Sequence, residues 1–507
     1  MLSEQRTKEC SSNMGRPTLY FALFIMAAMI LTVAVFSGMQ GEGHVWAGSA
    51  LRQAQDTAEP VSGLAIQRGQ VLTSTLYLPI VMRGFDPLCP GCPPLFGIDM
   101  GRINDEYGLP EVVEAGMRWV RGGIRWNLVQ PDGPETYDWS AISDIEADLI
   151  NAQSAGLEPI VVIHGTPPWA QKIPGYSCGP IREDCLDDFA TFVSAVVQRY
   201  KGPPYNVKFW ELWNEPDILP WDPVPPDSGY GCWGDINDSV GYGGGYYAQM
   251  LKQAYPAIKA ADPEAQVLIG GLLYGYAHGE PMFNFLKGVL AAGGGDYFDI
   301  VSYHAYSPGD DTWYTSEDVL EGKTAHIRQV LAEYGHAGKP MMCTEAGYRT
   351  FGDDSKLEAQ ADYVVTDYVL AFSFGLKAHL WFGFFRNDFQ GTALLDPETR
   401  LPKPAYNAYR AMTQQLDGLY YWGRVAAGSN VEEHGFGNGT RTVWVIWTTD
   451  GYDHSVHFPT AWSPSGQFWV RDKYGQGTIW SDASDGHTDG QVTVQVSGSP
   501  FYVEPVR

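Results

Sequence analysis

Trp210-Glu211-Leu212-Trp213-Asn214-Glu215-Pro216-Asp217 follows the β-prone run Asn206-Val207-Lys208-Phe209. The pattern predicts a buried strand that stops at Pro216, because proline has no N–H with which to continue a ladder. An amide and a carboxylate, Asn214 and Glu215, are thereby left at the mouth of a strand. A second carboxylate, Glu345, ends another apolar run, Pro340-Met341-Met342-Cys343-Thr344. Two acids on two separate strand ends make the arrangement of the remaining strands the deciding question.

From Leu95 onward, short apolar runs alternate with amphipathic segments, the pattern of repeated βα units. Eight runs can be counted: Leu95 to Asp99, Arg118 to Gly122, Pro159 to His164, Val207 to Trp213, Gln266 to Gly271, Phe298 to His304, Pro340 to Glu345 and Ala378 to Phe384. Helical stretches lie between most of them and after the last, at Ser140 to Ala155, Asp187 to Tyr200, Tyr246 to Ala261, Pro281 to Ala292, Ser316 to Tyr334, Leu357 to Phe374 and Ala405 to Leu416. Eight such units make an α/β fold, a (β/α)₈ barrel over 94–418, whose chemistry lies on the loops after the strands. After Gly418 the helical period disappears. Runs such as Thr442-Val443-Trp444-Val445-Ile446-Trp447 and Val492-Thr493-Val494-Gln495-Val496, separated by Gly, Asp and Asn turns, predict an all-β, sandwich-like domain over 419–507. A stabilising partner packed on the barrel is the favoured role for that domain, ahead of carbohydrate binding.

The chain of 507 residues is 44% hydrophobic and 18% charged, enough for a large core. With 33 Lys plus Arg against 59 Asp plus Glu, its net charge of −26 repels nucleic acid and suits a neutral substrate. Residues Leu19 to Phe36 are uncharged and follow Arg6, Lys8 and Arg16. Residues 1–43 therefore predict a signal peptide or a membrane anchor, with cleavage favoured, and 44–93 a proline-rich linker. Either reading places the rest outside the cytoplasm, extracellular or at the cell surface. Disulfides are then permitted. Cys178 and Cys185 flank a short loop and are expected to close it, with Cys232 able to compete for either partner. Cys89 and Cys92 read as a linker staple, and Cys343 as a buried free thiol.

Cleavage of an acetal needs a proton for the leaving oxygen and a negative group facing the developing oxocarbenium ion, which two carboxyls supply. Here a resemblance becomes specific. Trp213-Asn214-Glu215-Pro216, His304-Ala305-Tyr306, Thr344-Glu345 and Trp381, each on or after a separate strand, resemble the retaining glycoside hydrolases of clan A. The stretch from Trp119-Val120-Arg121 through Trp126 to Gln130-Pro131, with Tyr137-Asp138-Trp139 and Pro167-Pro168-Trp169-Ala170, is most similar to family 39, and family 5 is a near relative. The resemblance covers about residues 95 to 418. Gln130 departs from it, standing where such enzymes often carry Glu.

The resemblance implies a glycosidase acting on β-linked glycans, β-xylosides first, with Glu215 as acid/base and Glu345 as nucleophile. The order of the two follows from the clan. Asn214 is assigned to the sugar 2-hydroxyl, Tyr306 and His304 to orienting Glu345, and Arg121 to lowering its pKa. Trp381 and Trp169 are expected as apolar platforms, and His164 as a hydroxyl contact or a satisfied core histidine. Glu211 reads as a buried partner of an arginine, and Trp221, Trp233 and Trp313 as subsite walls or barrel caps. No metal-ligand spacing and no serine elbow is present, so neither a metal nor another cofactor is expected. An Asn-Glu-Pro taken alone is an ordinary turn, and its meaning comes from the other strand ends. Three alternatives remain: an endo-acting β-glucanase or mannanase, a transglycosylase, and a non-catalytic glycan-binding surface protein that keeps the barrel as scaffold.

Overall fold

The computed structural model describes residues 95–220, 230–277, 280–307, 319–425 and 430–507. The segments at 1–43 and 44–93, with Cys10, Cys89 and Cys92, and the loop residues Trp221 and Trp313 lie outside the described residues. Among the described residues, no helix is long and apolar enough to cross a membrane.

Eight parallel strands carry the fold: β1 (Phe96–Asp99), β2 (Trp119–Arg125), β3 (Glu158–His164), β4 (Phe209–Asn214), β5 (Gln266–Gly271), β6 (Val301–Ser307), β7 (Met341–Tyr348) and β8 (Ala378–Phe382). Each is followed by a helix: α1 (Leu109–Glu114), α2 (Ser143–Ser154), α3 (Leu186–Tyr200), α4 (Gly244–Ala261), α5 (Asn284–Ala291), α6 (Val319–Glu333), α7 (Leu357–Ser373) and α8 (Pro404–Leu416). The strand order is β5-β4-β3-β2-β1-β8-β7-β6, and parallel bridges from Leu268 to Ile300 and from Leu272 to Tyr303 close β5 onto β6. The result is the (β/α)₈ barrel.

The strands read as continuous apolar runs because both faces are covered. In β3 the five residues Pro159 to Ile163 are all buried. The helices show the complementary one-sided pattern, and α3 buries Leu186, Phe189, Phe192, Val193, Val196, Val197 and Tyr200. An inner cluster of Trp119, Ile160, Phe209, Leu268, Ile300, Met342, Ala378 and Leu380 plugs the barrel. Gly97 of β1 gives this cluster its room, since a Cβ there would lie 2.7 Å from Leu380 and 2.8 Å from Trp119. Two residues beyond Trp119 and Phe209 come Arg121 and Glu211, so strand alternation hands the interior from an apolar plug to charged groups.

Eight further strands follow: β9 (Tyr420–Arg424), β10 (Val431–Gly437), β11 (Thr442–Thr448), β12 (His454–Pro459), β13 (Gln467–Asp472), β14 (Gly477–Ser481), β15 (Gln491–Val496) and β16 (Phe501–Pro505). Six form an antiparallel sheet, β9-β10-β11-β16-β13-β14, and β12 pairs with β15. Ile446, Val456, Phe458, Phe468, Val494 and Val503 belong to one apolar core between the two layers. The opposite face of the large sheet, through Phe436, Val445 and Tyr502, joins the barrel core instead. There Phe436 meets Phe372 of α7 edge-on at 5.3 Å, and Lys473 bridges Glu358 at 2.9 Å and Asp362 at 2.7 Å.

One expectation is corrected. The disulfide joins Cys178 to Cys232, with Cα atoms 5.3 Å apart, and Cys185 is a buried free thiol. The Cys178 carbonyl accepts from the Cys232 N–H at 2.9 Å and from the Trp213 indole at 3.0 Å, which draws the loop after β4 onto the loop after β3. Cys185 is instead held in the turn that opens α3, where its sulfur accepts from Arg182 at 3.2 Å. Cys343 is a buried free thiol, as expected. Because the bridge closes a loop spanning 54 positions, Cys232→Ser should destabilise the fold by about 2 to 4 kcal/mol. Urea unfolding with and without reductant checks this, and equal midpoints in both would contradict it.

Candidate active site

At the end of β4 the backbone departs from strand geometry at two side-chain-bearing residues, with φ of +82° at Trp213 and +46° at Glu215. L-residues adopt that region rarely and at a cost, and such strain concentrates where function fixes a side chain. Its effect here is to break the alternation. The Trp213 ring turns outward against Phe189 at 6.0 Å and Trp233 at 5.0 Å, while Asn214 faces the barrel. Glu215 is fixed by its own N–H, which donates to the Gly271 carbonyl at 2.8 Å.

Arg121 is the hub. Its Nε donates to Glu211 Oε2 at 2.7 Å, Nη1 to Asp99 Oδ2 at 3.2 Å and to Glu345 Oε1 at 2.5 Å, and Nη2 to Asn214 Oδ1 at 2.6 Å. A guanidinium stays charged at every relevant pH and offers donors in a rigid fork, so it can hold these acceptors in one plane. Glu211 is the buried arginine partner that its depth implied, and its second oxygen accepts from Thr344 at 3.0 Å.

Glu345 reaches the interior through a β-bulge. Tyr303 pairs with Cys343 but His304 pairs with Glu345, so β7 carries one extra residue, and both Thr344 and Glu345 point inward. Tyr306 donates to Glu345 Oε2 at 2.6 Å, opposite the bond from Arg121. His304 Nδ1 lies 2.8 Å from Glu215 Oε1 and 3.5 Å from Glu345 Oε2. One oxygen of each glutamate and a ring nitrogen of His304 all lie within 4.8 Å of one another. Gly271 makes the space, since a Cβ there would come 2.3 Å from His304 Nε2. A cation could find ligands in this trio, but the Arg121 charge already occupies the neighbourhood of Glu345.

Burial pushes the Glu215 carboxyl up to about 7, against the opposing pull of Arg121 and Lys323. Burial also raises Glu345, with His304, when it is protonated, and Arg121 acting in the other direction. His304 is itself held down to about 4 by burial and is neutral near pH 7, so the relief of Glu345 rests on Arg121 and on the Tyr306 hydroxyl. The expected lowering by Arg121 is therefore present as a contribution, while desolvation sets the net direction. Glu345 accepts from two strong donors and Glu215 has only the imidazole, which favours Glu215 as the member of the pair that carries a proton. For an unactivated substrate, kcat/KM should fall as pH rises through about 7, because an acid with a raised pKa loses its proton there. A pH profile checks this, and undiminished activity up to pH 9 would contradict it.

Not every candidate joins this cluster. His164, half-buried at the end of β3, is held down to about 3 by burial and so is neutral and able to accept or donate a single hydrogen bond. Trp169 packs edge-on against Trp126 at 5.3 Å and donates to the Gln130 carbonyl at 2.9 Å. Gln130 is buried, binding the Trp126 indole at 2.7 Å and the Pro134 carbonyl at 2.6 Å, so it braces its loop. Trp233 is buried, packed on the outward Trp213 ring at 5.0 Å and on Tyr247 of α4 at 5.4 Å.

Trp381 is a correction. It is 0% exposed, faces outward toward Tyr363, and gives its indole N–H to the Thr392 carbonyl at 2.8 Å, so it offers no platform. Leu380 belongs to the inner plug, and alternation therefore turns Trp381 out and Phe382 in. Phe382 meets Tyr306 at 6.0 Å and Phe389 at 6.2 Å, forming an aromatic wall beside Glu345. Asp99, Gly271 and Phe382 are not among the site residues that the sequence suggests, and Thr344 enters there only as the neighbour of Glu345 without a role. The signals were available for two of them, because Asp99 ends the apolar run of β1 and Phe382 has the right parity.

The family model for cellulase (glycosyl hydrolase family 5) matches residues 89–378. Among solved structures, a family 39 glycoside hydrolase from Bacteroides cellulosilyticus WH2 is 19% identical with a TM-score of 0.60, over 81% of each chain. A monomeric β-xylosidase from Caulobacter crescentus CB15 is 18% identical with a TM-score of 0.54, over 82% of this chain and 97% of its own. A family 30 subfamily 8 xylanase from Clostridium acetobutylicum is 14% identical with a TM-score of 0.56, over 81% and 95%. No curated protein matches in sequence. At such identities the structures speak for the fold, and the family match, which spans more than half of the chain, speaks for the family. The chain belongs to the cellulase family, glycosyl hydrolase family 5, and so to the clan A glycoside hydrolases.

Proposed function

We propose that the protein hydrolyses O-glycosidic bonds of β-linked oligo- or polysaccharides with retention of configuration, β-xylosides being favoured. The observation that carries this is the approach of Glu215 and Glu345 to within 4.8 Å. Retaining enzymes hold their two carboxyls at about 5 to 5.5 Å, whereas inverting ones leave roughly 6.5 to 9.5 Å for a water. In the first step Glu215 gives its proton to the glycosidic oxygen as a Glu345 oxygen attacks the anomeric carbon, and the alcohol leaves. In the second, Glu215, now a carboxylate, takes a proton from water as that water attacks the same carbon and frees Glu345. Asn214, oriented by Arg121 through its Oδ1, is assigned to the 2-hydroxyl, and Tyr306 keeps Glu345 pointed at the carbon.

The xyloside preference follows from the family 39 resemblance. The match to a cellulase family model favours an endo-acting β-glucanase or mannanase as the second reading. Retention of both carboxylates argues against a pure glycan binder. The Cys178–Cys232 disulfide supports an extracellular or cell-surface location. The test is proton NMR of the first product released from aryl β-glycosides and from xylan, glucan and mannan. A β-anomer from any of them supports the proposal. An α-anomer as first product, or no hydrolysis of any substrate, would overturn it.

A further inference from the structure

The large C-terminal sheet uses one face against the barrel, and its other face carries an unusual row of rings. Along β9, Tyr421 points to the barrel and meets Phe436 at 5.4 Å. Its neighbours Tyr420 and Trp422 are on the opposite face, 48% and 45% exposed. Trp422 is the extra residue of a bulge, since Tyr421 pairs with Phe436 and Gly423 with Gly435. Its indole lies across bare backbone: a Cβ on Gly435 would fall 2.0 Å from Cζ2, and one on Gly437 3.7 Å from Cδ1. One ring face is thus seated along β10 and the other is open.

Gly435 pairs in turn with Trp444, whose ring stacks on Trp462 at 5.6 Å and 21°. Trp462 is 40% exposed at the rim of the sandwich. The β12–β15 pair covers Trp444 through Phe458, at 5.5 Å, and leaves Tyr420 and Trp422 uncovered. Among the described residues, neither Tyr420 nor Trp422 belongs to an apolar core, and the seat of Trp422 on β10 uses one ring face only. β9, which carries Tyr420 and Trp422, and β11, which carries Trp444, are two strand spacings or about 10 Å apart, so the Trp462 ring stacked on Trp444 sits to one side of Trp422.

Flat indole and phenol faces open to water match the C–H faces of pyranose rings, which offer apolar area with polar edges. A net charge of −26 disfavours a polyanion or an anionic membrane, and leaves a neutral chain as the fitting occupant. We propose that Tyr420, Trp422 and Trp462 form a second, non-catalytic surface that binds a neutral polysaccharide chain, holding the substrate while the barrel cuts it. The choice of ligand rests on the glycosidase reading, but the measurement does not need catalysis.

The full chain carrying Glu345→Gln is tested for retention on insoluble xylan, microcrystalline cellulose and insoluble mannan. Retention on at least one is expected, with Trp422→Ala and Trp462→Ala each weakening it by about tenfold and Trp422→Phe keeping most of it. Without Glu345→Gln, Trp422→Ala should hydrolyse a soluble aryl glycoside within about twofold of the parent, which also shows that the variant is folded. Absence of retention on all three, or retention that both alanine variants leave unchanged, overturns the proposal; capture of a protein in place of polysaccharide does the same. Residual hydrolysis by Glu345→Gln would instead count against the catalytic reading alone.

Discussion

Replacing Glu345 with alanine should lower kcat/KM on an activated aryl glycoside by about ten-thousandfold or more if it forms the covalent bond, since among the described residues it is the carboxylate held beside Glu215. Glu345 is the one carboxylate of the site that accepts both from Arg121 and from Tyr306, so its oxygens are held rather than free to rotate. Removing it leaves Arg121 with Glu211 and Asp99 as charged partners, which is sufficient to keep the guanidinium in place. The variant should accordingly remain folded, and circular dichroism with thermal melting separates loss of chemistry from loss of structure. Steady-state kinetics then reads the effect, and activity near that of the parent would sink the assignment of Glu345 as nucleophile.

Glu215→Ala should behave differently in a way that identifies its role. A poor leaving group needs the proton, so hydrolysis of an unactivated glycoside should fall by about a hundredfold to ten-thousandfold. A nitrophenolate leaving group does not, and with it the first step should survive while the second, which needs Glu215 as base, becomes slow. A burst of nitrophenol followed by a slow steady state is the expected trace. Added azide, which needs no base, should restore turnover and yield a glycosyl azide. Equal losses on activated and unactivated substrates, with no azide rescue, would show that Glu215 is not the acid/base.

The fold was legible because a barrel strand buried on both faces reads as an unbroken apolar run, and eight such runs stand at the positions that the structure confirms. The first helix escaped notice since α1 has six residues and starts at Leu109-Pro110, too short for a helical period to show. The carboxylate pair was legible through its neighbours on other strands. What sequence could not convey was direction. The positive φ at Trp213 and the bulge before Glu345 each reverse which residues face inward, and nothing in the residue types announces either one. Trp381 differs for another reason: its platform role follows from the resemblance to the clan, whereas alternation from the inward Leu380 selects Phe382. Nearness along the chain pairs Cys178 with Cys185, whereas the bridge follows the contact between the loops after β3 and β4.

The proposed mechanism turns on a glycosyl-enzyme at Glu345, and the most direct measurement is to trap it. An activated 2-deoxy-2-fluoro glycoside of whichever sugar the enzyme cleaves slows the second step more than it prevents the first. Mass spectrometry of the intact protein and of its peptides should then show one added glycosyl mass, carried by the peptide that contains Glu345. A label on another residue, or turnover of the trap with no covalent adduct at any time, would contradict the account.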